Sequence, residues 1–344
     1  MLNIICFTKD MSTYGAAYYQ KDFLDVLEKK TNVFFYGIDF PYYNKTFGVS
    51  DVLGLAGFDI NSTILIFSHS WLSDSPDVEI CLDENDYYGN SIFKVLILNK
   101  EYSRLDEKIE WAKEKGIDLI FTHHTDNDLI EELSGIRTIF WPFAVNPCLF
   151  CPSNVPFEER EYDLSYSGIL QNLNVSTDTH SDQRVKVLKE IYRIFRKKIL
   201  YKKMKYRSKK IYYNFFSSEY LNSLYKRLND EEYIWLQHNS KFFLNTLSAG
   251  NLIGTRFFEN MLCKTVVFCE DSPIYNGVFP DDLVVKFNIN MSDFFDKLDY
   301  YLKDIDKLKK IADNAYDFVI QNHTWEHRVD SLIEEIKILN GEVL

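Results

Sequence analysis

Alternation constrains this chain more than any other feature. Short apolar runs recur through the first 145 residues: NIICF (3–7), NVFFYG (32–37), TILIFS (63–68), KVLILN (94–99), DLIFT (118–122) and RTIFW (137–141). They are nearly continuous in β-branched and aromatic residues, as strands buried on both faces are. Helical patterns lie between them, at 16–30, 103–115 and 126–133. A strand–helix–strand rhythm of this kind predicts a parallel, doubly wound α/β sheet.

The rhythm then breaks. Residues 141–163, WPFAVNPCLFCPSNVPFEEREYD, hold three prolines besides Pro142 and have no period, a composition suited to a linker. A second alternating set follows, with strands expected at 162–168, 241–245, 265–269 and 283–287. Helices are expected over the basic stretch 184–210 and at 256–262, 291–302, 305–321 and 324–339. With 344 residues, two domains of about 150 residues each are the default. The expected architecture is two Rossmann-like domains, 1–150 and 160–325, with 326–344 as a closing helix that packs back toward the first.

Composition narrows the class. A chain with 46% hydrophobic and 26% charged residues is globular rather than disordered. No apolar run approaches the roughly 20 residues of a membrane helix, and MLNIICF reads as a first strand rather than a leader. Six scattered cysteines form no disulfide framework, so a cytoplasmic setting is expected. The formal net charge of −12 argues against general affinity for nucleic acid or anionic membrane. Against that, residues 184–210 carry 13 basic residues and a single acid, Glu190.

The sequence has neither a G-x-G-x-x-G fingerprint nor a Walker loop, which argues against a dinucleotide enzyme or a P-loop NTPase. Two doubly wound domains still predict a ligand cleft at the carboxyl ends of the strands. GTRFFENMLCKTVVFCED (254–271) sets Arg256 and Glu259 three apart on a short helix that feeds a buried strand. Such a pair is either a solvated face or a grip on an anionic, hydroxyl-bearing ligand.

YDLSYSGIL, a downstream Arg184, SKFFLNTLSAGNLIGTRFFENMLCKTVVF and the terminal HTWEHRVDSLIEEI together resemble the C-terminal half of GT-B glycosyltransferases. The similarity is to the group-1-like branch that includes spore-maturation glycosyltransferases. It covers roughly 160–339, and WPFAVNP at the junction matches as well. The resemblance implies a C-terminal domain that binds a nucleotide sugar and an N-terminal domain that binds the acceptor. Arg256 would then hold the diphosphate, whose negative charge grows as it leaves, and Glu259 would accept from the ribose diol. Asn245, Asn251, Gly168 and Gly254 would line the donor pocket, with Arg184 as a further phosphate ligand. Gly250 and Gly254 would let the backbone and the helix start approach phosphate closely.

The sequence departs from the branch at two positions. Many retaining members carry a second glutamate eight residues before the ribose-binding one, where this chain has Asn251. The glycine usual after the helix is Lys264. Retention and inversion both stay open on these residues. An inverting enzyme needs a general base, and His69 (IFSHSW), Asp10 (FTKDMSTYG) and His124 (FTHHTD, after His123) follow expected strands. His69 and Asp10 are the preferred pair.

No cofactor and no obligatory metal are expected. CLFC (Cys148, Cys151) is a lone pair in the linker, and His323 and His327 have no third ligand in view. The co-substrate expected is a nucleoside-diphosphate sugar, a UDP-sugar first. The acceptor is a hydroxyl on a glycan, a lipid-linked sugar or a protein, and a modified DNA base is the alternative. A non-catalytic or donor-hydrolysing nucleotide-sugar-binding protein is the remaining rival. The basic stretch 184–210 is a solvated helix face, a contact to the inner membrane surface, or a nucleic-acid contact.

Overall fold

A computed structural model of the chain describes residues 2–10, 18–72, 92–169, 203–216 and 227–340. The chain divides into two compact units, Met1–Ala144 together with Trp325–Leu344, and Val145–Thr324.

The first unit is built on a six-stranded, all-parallel sheet. Its strands are β1 (Asn3–Phe7), β2 (Asn32–Tyr36), β3 (Thr63–Phe67), β4 (Lys94–Ile97), β5 (Leu119–Thr122) and β6 (Thr138–Phe140), in the order β2-β1-β3-β4-β5-β6. Every residue of β3, β4 and β5 is buried, as expected for strands covered on both faces. Helices α1 (Tyr18–Lys30), α2 (Val49–Ala56), α3 (Leu105–Glu114) and α4 (Asn127–Ser134) connect them. One apolar layer gathers Ile5, Phe7, Leu65 and Phe67 with Val49 and Val52 of α2. The layer on the other face gathers Ile4, Cys6, Ile64 and Ile66 with Phe23 and Leu27 of α1. Consecutive strand residues thus serve opposite layers. The terminal helix α9 (Trp325–Asn340) belongs to this second layer through Val329, Leu332 and Ile336. The Trp141 indole N–H donates to the Arg328 carbonyl at 3.1 Å.

The second unit has a six-stranded sheet of β7 (Tyr162–Ile169), β8 (Lys203–Tyr206), β9 (Lys209–Phe216), β10 (Ser240–Asn245), β11 (Val266–Glu270) and β12 (Val285–Phe287). Their order in the sheet is β12-β11-β10-β7-β9-β8. The helices are α5 (Asp230–His238), α6 (Arg256–Leu262), α7 (Phe294–Leu302) and α8 (Ile305–Asn322). All pairings are parallel except β8–β9.

That hairpin corrects the helix expected over 184–210. Residues 184–202 lie outside the described residues, but 203–210 are strand and turn. Lys203 and Lys205 alternate with Met204 and Tyr206, a period of two rather than 3.6. Tyr206 pairs with Lys209, so the loop is Arg207–Ser208, and both residues have positive φ, 46° and 68°. A two-residue turn of that kind matches the twist of its strands.

Candidate functional site

In an open parallel sheet, ligands bind where the chain's crossovers diverge to opposite sides, outside the carboxyl ends of the strands. In the second unit that point lies between β7 and β10, because β9 and β8 extend the sheet one way and β11 and β12 the other. A pocket of about 170 Å³ opens there, lined by residues that include Tyr166, Asn245, Ser248, Gly254 and Arg256.

Arg256 is the first residue of α6. Its Nη1 donates to the Ser167 carbonyl at 2.7 Å, so the guanidinium lies across the end of β7. Gly168 makes this possible. A Cβ there would stand 2.6 Å from the Tyr166 hydroxyl and 2.7 Å from Arg256 Nη1. Beneath Arg256, the Asn260 amide donates to the Arg256 carbonyl at 2.8 Å and to Asn245 Oδ1 at 3.3 Å. Asn245 thereby ties the end of β10 to the first turn of α6.

One turn along α6, Glu259 is 2% exposed. A carboxylate this buried needs hydrogen-bond donors, and the Tyr233 hydroxyl supplies one to Oε2 at 3.1 Å. Arg160 anchors the far end of α6. It donates to the carbonyls of Cys263 at 3.2 Å, Lys264 at 2.8 Å and Ser240 at 2.9 Å. Burial brings its pKa down to about 10, which leaves it a cation at neutral pH.

Both departures from the glutamate and glycine of the group-1-like branch fall at left-handed backbone positions. Asn251 has φ 58° and follows Gly250 at φ 68°, in a turn closed by the Ser248 amide on the Leu252 carbonyl at 2.8 Å. Asn tolerates the left-handed region better than Glu does. Lys264, just past the end of α6, has φ 52°, where glycine is the usual solution. The strain is accompanied by an ion pair to Asp313 at 2.7 Å and a contact with the Tyr316 ring. Gly254 needs no special backbone and has room for a Cβ, 3.5 Å from Ser248 Oγ. Arg184 lies outside the described residues.

The corresponding point of the first unit lies between β1 and β3. The Thr8 and Ser70 hydroxyls are 2.9 Å apart, and the Lys9 amide donates to Ser70 Oγ at 2.9 Å. Asp10 follows, half-buried, its amide bonded to the Ile38 carbonyl at 3.0 Å. His69 does not reach a surface. It is 1% exposed, stacked on His123 with ring centroids 5.1 Å apart, and boxed by Phe23, Trp141 and Trp325. Neither ring nitrogen has a partner among the described residues. Burial, and then His123, push its pKa well below the usual histidine range. Of the pair His69 and Asp10 expected from the sequence, His69 is enclosed in the core with both ring nitrogens buried, and Asp10 is half-buried. His124 is half-buried, and its Nδ1 accepts from the Asp126 amide at 3.1 Å.

Neither Tyr233 nor Ser167 stands in a motif that marks it in the sequence. The helix that carries Tyr233 announces itself in N-D-E-E (229–232), where Asn229 and Glu232 form a reciprocal capping box. Ser167 acts through its carbonyl and leaves no side-chain signal.

Two doubly wound α/β sheets, the second with an arginine and a buried glutamate at its carboxyl edge, are the arrangement of the GT-B fold. Residues 196–334 match the glycosyl transferase-like family model. Sucrose-phosphate synthase from Thermosynechococcus elongatus superposes with a TM-score of 0.63 at 10% identity, over 99% of this chain and 100% of that one. HepE from Anabaena, solved in complex with UDP and glucose, gives 0.59 at 10% identity over 98% and 100%. A glycosyltransferase from Rickettsia africae gives 0.56 at 10% identity over 98% of both chains. At such identities the likeness is one of fold. No curated protein matches the sequence.

Proposed function

We propose that this glycosyltransferase-like protein moves a hexose from a nucleoside-diphosphate sugar, a UDP-sugar first, to a hydroxyl acceptor. The observation that carries the reading is Arg256 laid across Gly168 at the end of β7, one turn from buried Glu259. A guanidinium at that edge can release the Ser167 carbonyl and take two diphosphate oxygens. It would act where negative charge develops as the sugar–phosphate bond breaks. Glu259 would accept from the ribose diol and so fix the nucleotide end. That HepE was solved with UDP and glucose on the same fold supports UDP as the first probe.

For the acceptor proton the candidate is Asp10, with His124 second. The acceptor is a glycan, lipid-linked or protein-borne hydroxyl, and the basic stretch 184–210 would favour an anionic surface such as the inner membrane face. Among the described residues no helix is long and apolar enough to cross a membrane.

Calorimetry with UDP tests the donor site. Arg256→Ala should lose about 1.5–3 kcal/mol, the scale of a hydrogen bond to a charged group, with the fold retained. Unchanged affinity would remove Arg256 from the site. Asp10→Asn should lower kcat about 10²–10⁴-fold with UDP affinity intact. Near-normal turnover would exclude it as base. Release of free sugar at equal rates with and without acceptor would favour a donor hydrolase.

A further inference from the structure

Helices α5 and α6 meet in register. Tyr233 and Gln237 lie four apart on α5, and Glu259 and Cys263 lie four apart along α6 and its C-cap. The Tyr233 hydroxyl donates to Glu259 Oε2 at 3.1 Å, and the Cys263 thiol to Gln237 Oε1 at 3.3 Å. Residues four apart share one face of a helix, so one face of α5 grips one face of α6 at two successive turns. The Gln237 carbonyl adds a third point, accepting from the Thr265 hydroxyl at 2.7 Å. At its other end α5 is held by the Asn229–Glu232 capping box. The Tyr233 ring is set edge-on against Phe243 of β10, with centroids 6.0 Å apart at 87°. The hydroxyl is therefore delivered from a ring with a fixed place rather than from a loose surface side chain.

We propose that Tyr233 is a positioning residue for nucleotide recognition. By engaging Oε2, it sets the plane of the Glu259 carboxylate and decides which lone pairs face a ribose 2′,3′-diol, and it thereby fixes the preference for ribonucleotide over 2′-deoxyribonucleotide. The inference rests on the reading of Glu259 as the ribose acceptor. A carboxylate free to rotate about its last torsion accepts from one hydroxyl about as well as from two. One clamped by a phenol presents a fixed pair of acceptors, and only a diol satisfies both. An acceptor left with an absent hydroxyl forfeits the corresponding bond, which is how sites built for a hydroxyl reject analogues that lack it.

The test uses the full-length protein, UDP and 2′-deoxy-UDP, with affinities from calorimetry and Tm from thermal unfolding. Tyr233→Phe keeps the ring on Phe243 and removes only the hydroxyl. In the wild type, UDP should bind about tenfold or more tighter than 2′-deoxy-UDP. In Tyr233→Phe that ratio should fall to about two- or threefold, chiefly through weaker UDP binding. A residue that merely holds the fold together would weaken both ligands alike and leave the ratio in place. A wild-type ratio retained in Tyr233→Phe overturns the role of Tyr233 while leaving Glu259 as the ribose acceptor. A wild type indifferent to the 2′-hydroxyl overturns the Glu259 reading, and this inference with it.

Discussion

Replacing Gly168 by alanine probes the donor site through one methyl group. Gly168 lies in β7, and its φ is outside the left-handed region, so the backbone accepts alanine and the effect must come from space. The new Cβ would sit 2.6 Å from the Tyr166 hydroxyl, 2.9 Å from its Cζ and 2.7 Å from Arg256 Nη1. Real contacts are not that close, so something must move. Both neighbours are the ends of side chains, and the arginine has more torsions to absorb a shift than the tyrosine ring. Global stability should fall only by about 1 kcal/mol, the low end for overpacking. The cost should appear instead in binding. Once the guanidinium is displaced, its 2.7 Å bond to the Ser167 carbonyl is broken and its aim is lost. That places the expected loss of UDP affinity at about 1.5–3 kcal/mol, or about 10–150-fold. The assay is calorimetric titration of wild type, Gly168→Ala, Arg256→Ala and the double variant. If alanine acts through Arg256, it should cost little once Arg256 is gone, with a coupling of about 1–2 kcal/mol in the cycle. Additive losses, or full UDP affinity in Gly168→Ala, would refute the reasoning.

Two further predictions concern the rest of the chain. His69 and His123 are both held below the ordinary histidine value of 6.5 by burial, so the unfolded state binds more protons below that pH. Stability should be fully present above about pH 6.5 and should decline as pH falls below it, by at most about 1.4 kcal/mol per pH unit for each histidine. Four of the five tryptophans, Trp71, Trp111, Trp141 and Trp325, belong to the first unit, so urea unfolding followed by fluorescence should see this. His69→Phe should flatten the decline between pH 6.5 and 5, and an unchanged slope would show that His69 does not carry it. For the basic stretch, replacing Lys197, Lys198, Lys202 and Lys203 with Gln should reduce retention on anionic liposomes as high salt does. If the wild type is not retained, the membrane reading ends there.

Periodicity carried most of the fold. Continuous apolar runs such as TILIF and VVFCE have few ways to be covered other than helices on both faces of a parallel sheet, and these runs became β3 and β11. Where the pattern is weaker, sequence and structure part. The lysine-rich stretch 203–210 has the charge of an exposed helix but alternates with period two, and it forms a hairpin. Arg256 and Glu259 stood out in the sequence because a charged pair entering a buried strand is unusual. Their supports did not stand out, because contacts such as Ser167 with Arg256 or Tyr233 with Glu259 join residues 89 and 26 positions apart. Nor could a strand-end position tell a surface histidine from a core one. His69 and Asp10 each follow a buried strand, yet only tertiary packing encloses His69 between His123, Phe23, Trp141 and Trp325. Local sequence determines which segments become strands and helices, because periodicity and propensity act over a few residues. Which side chains meet, and which of them keep access to solvent, is decided by long-range packing, and one strand end looks like another until that packing exists.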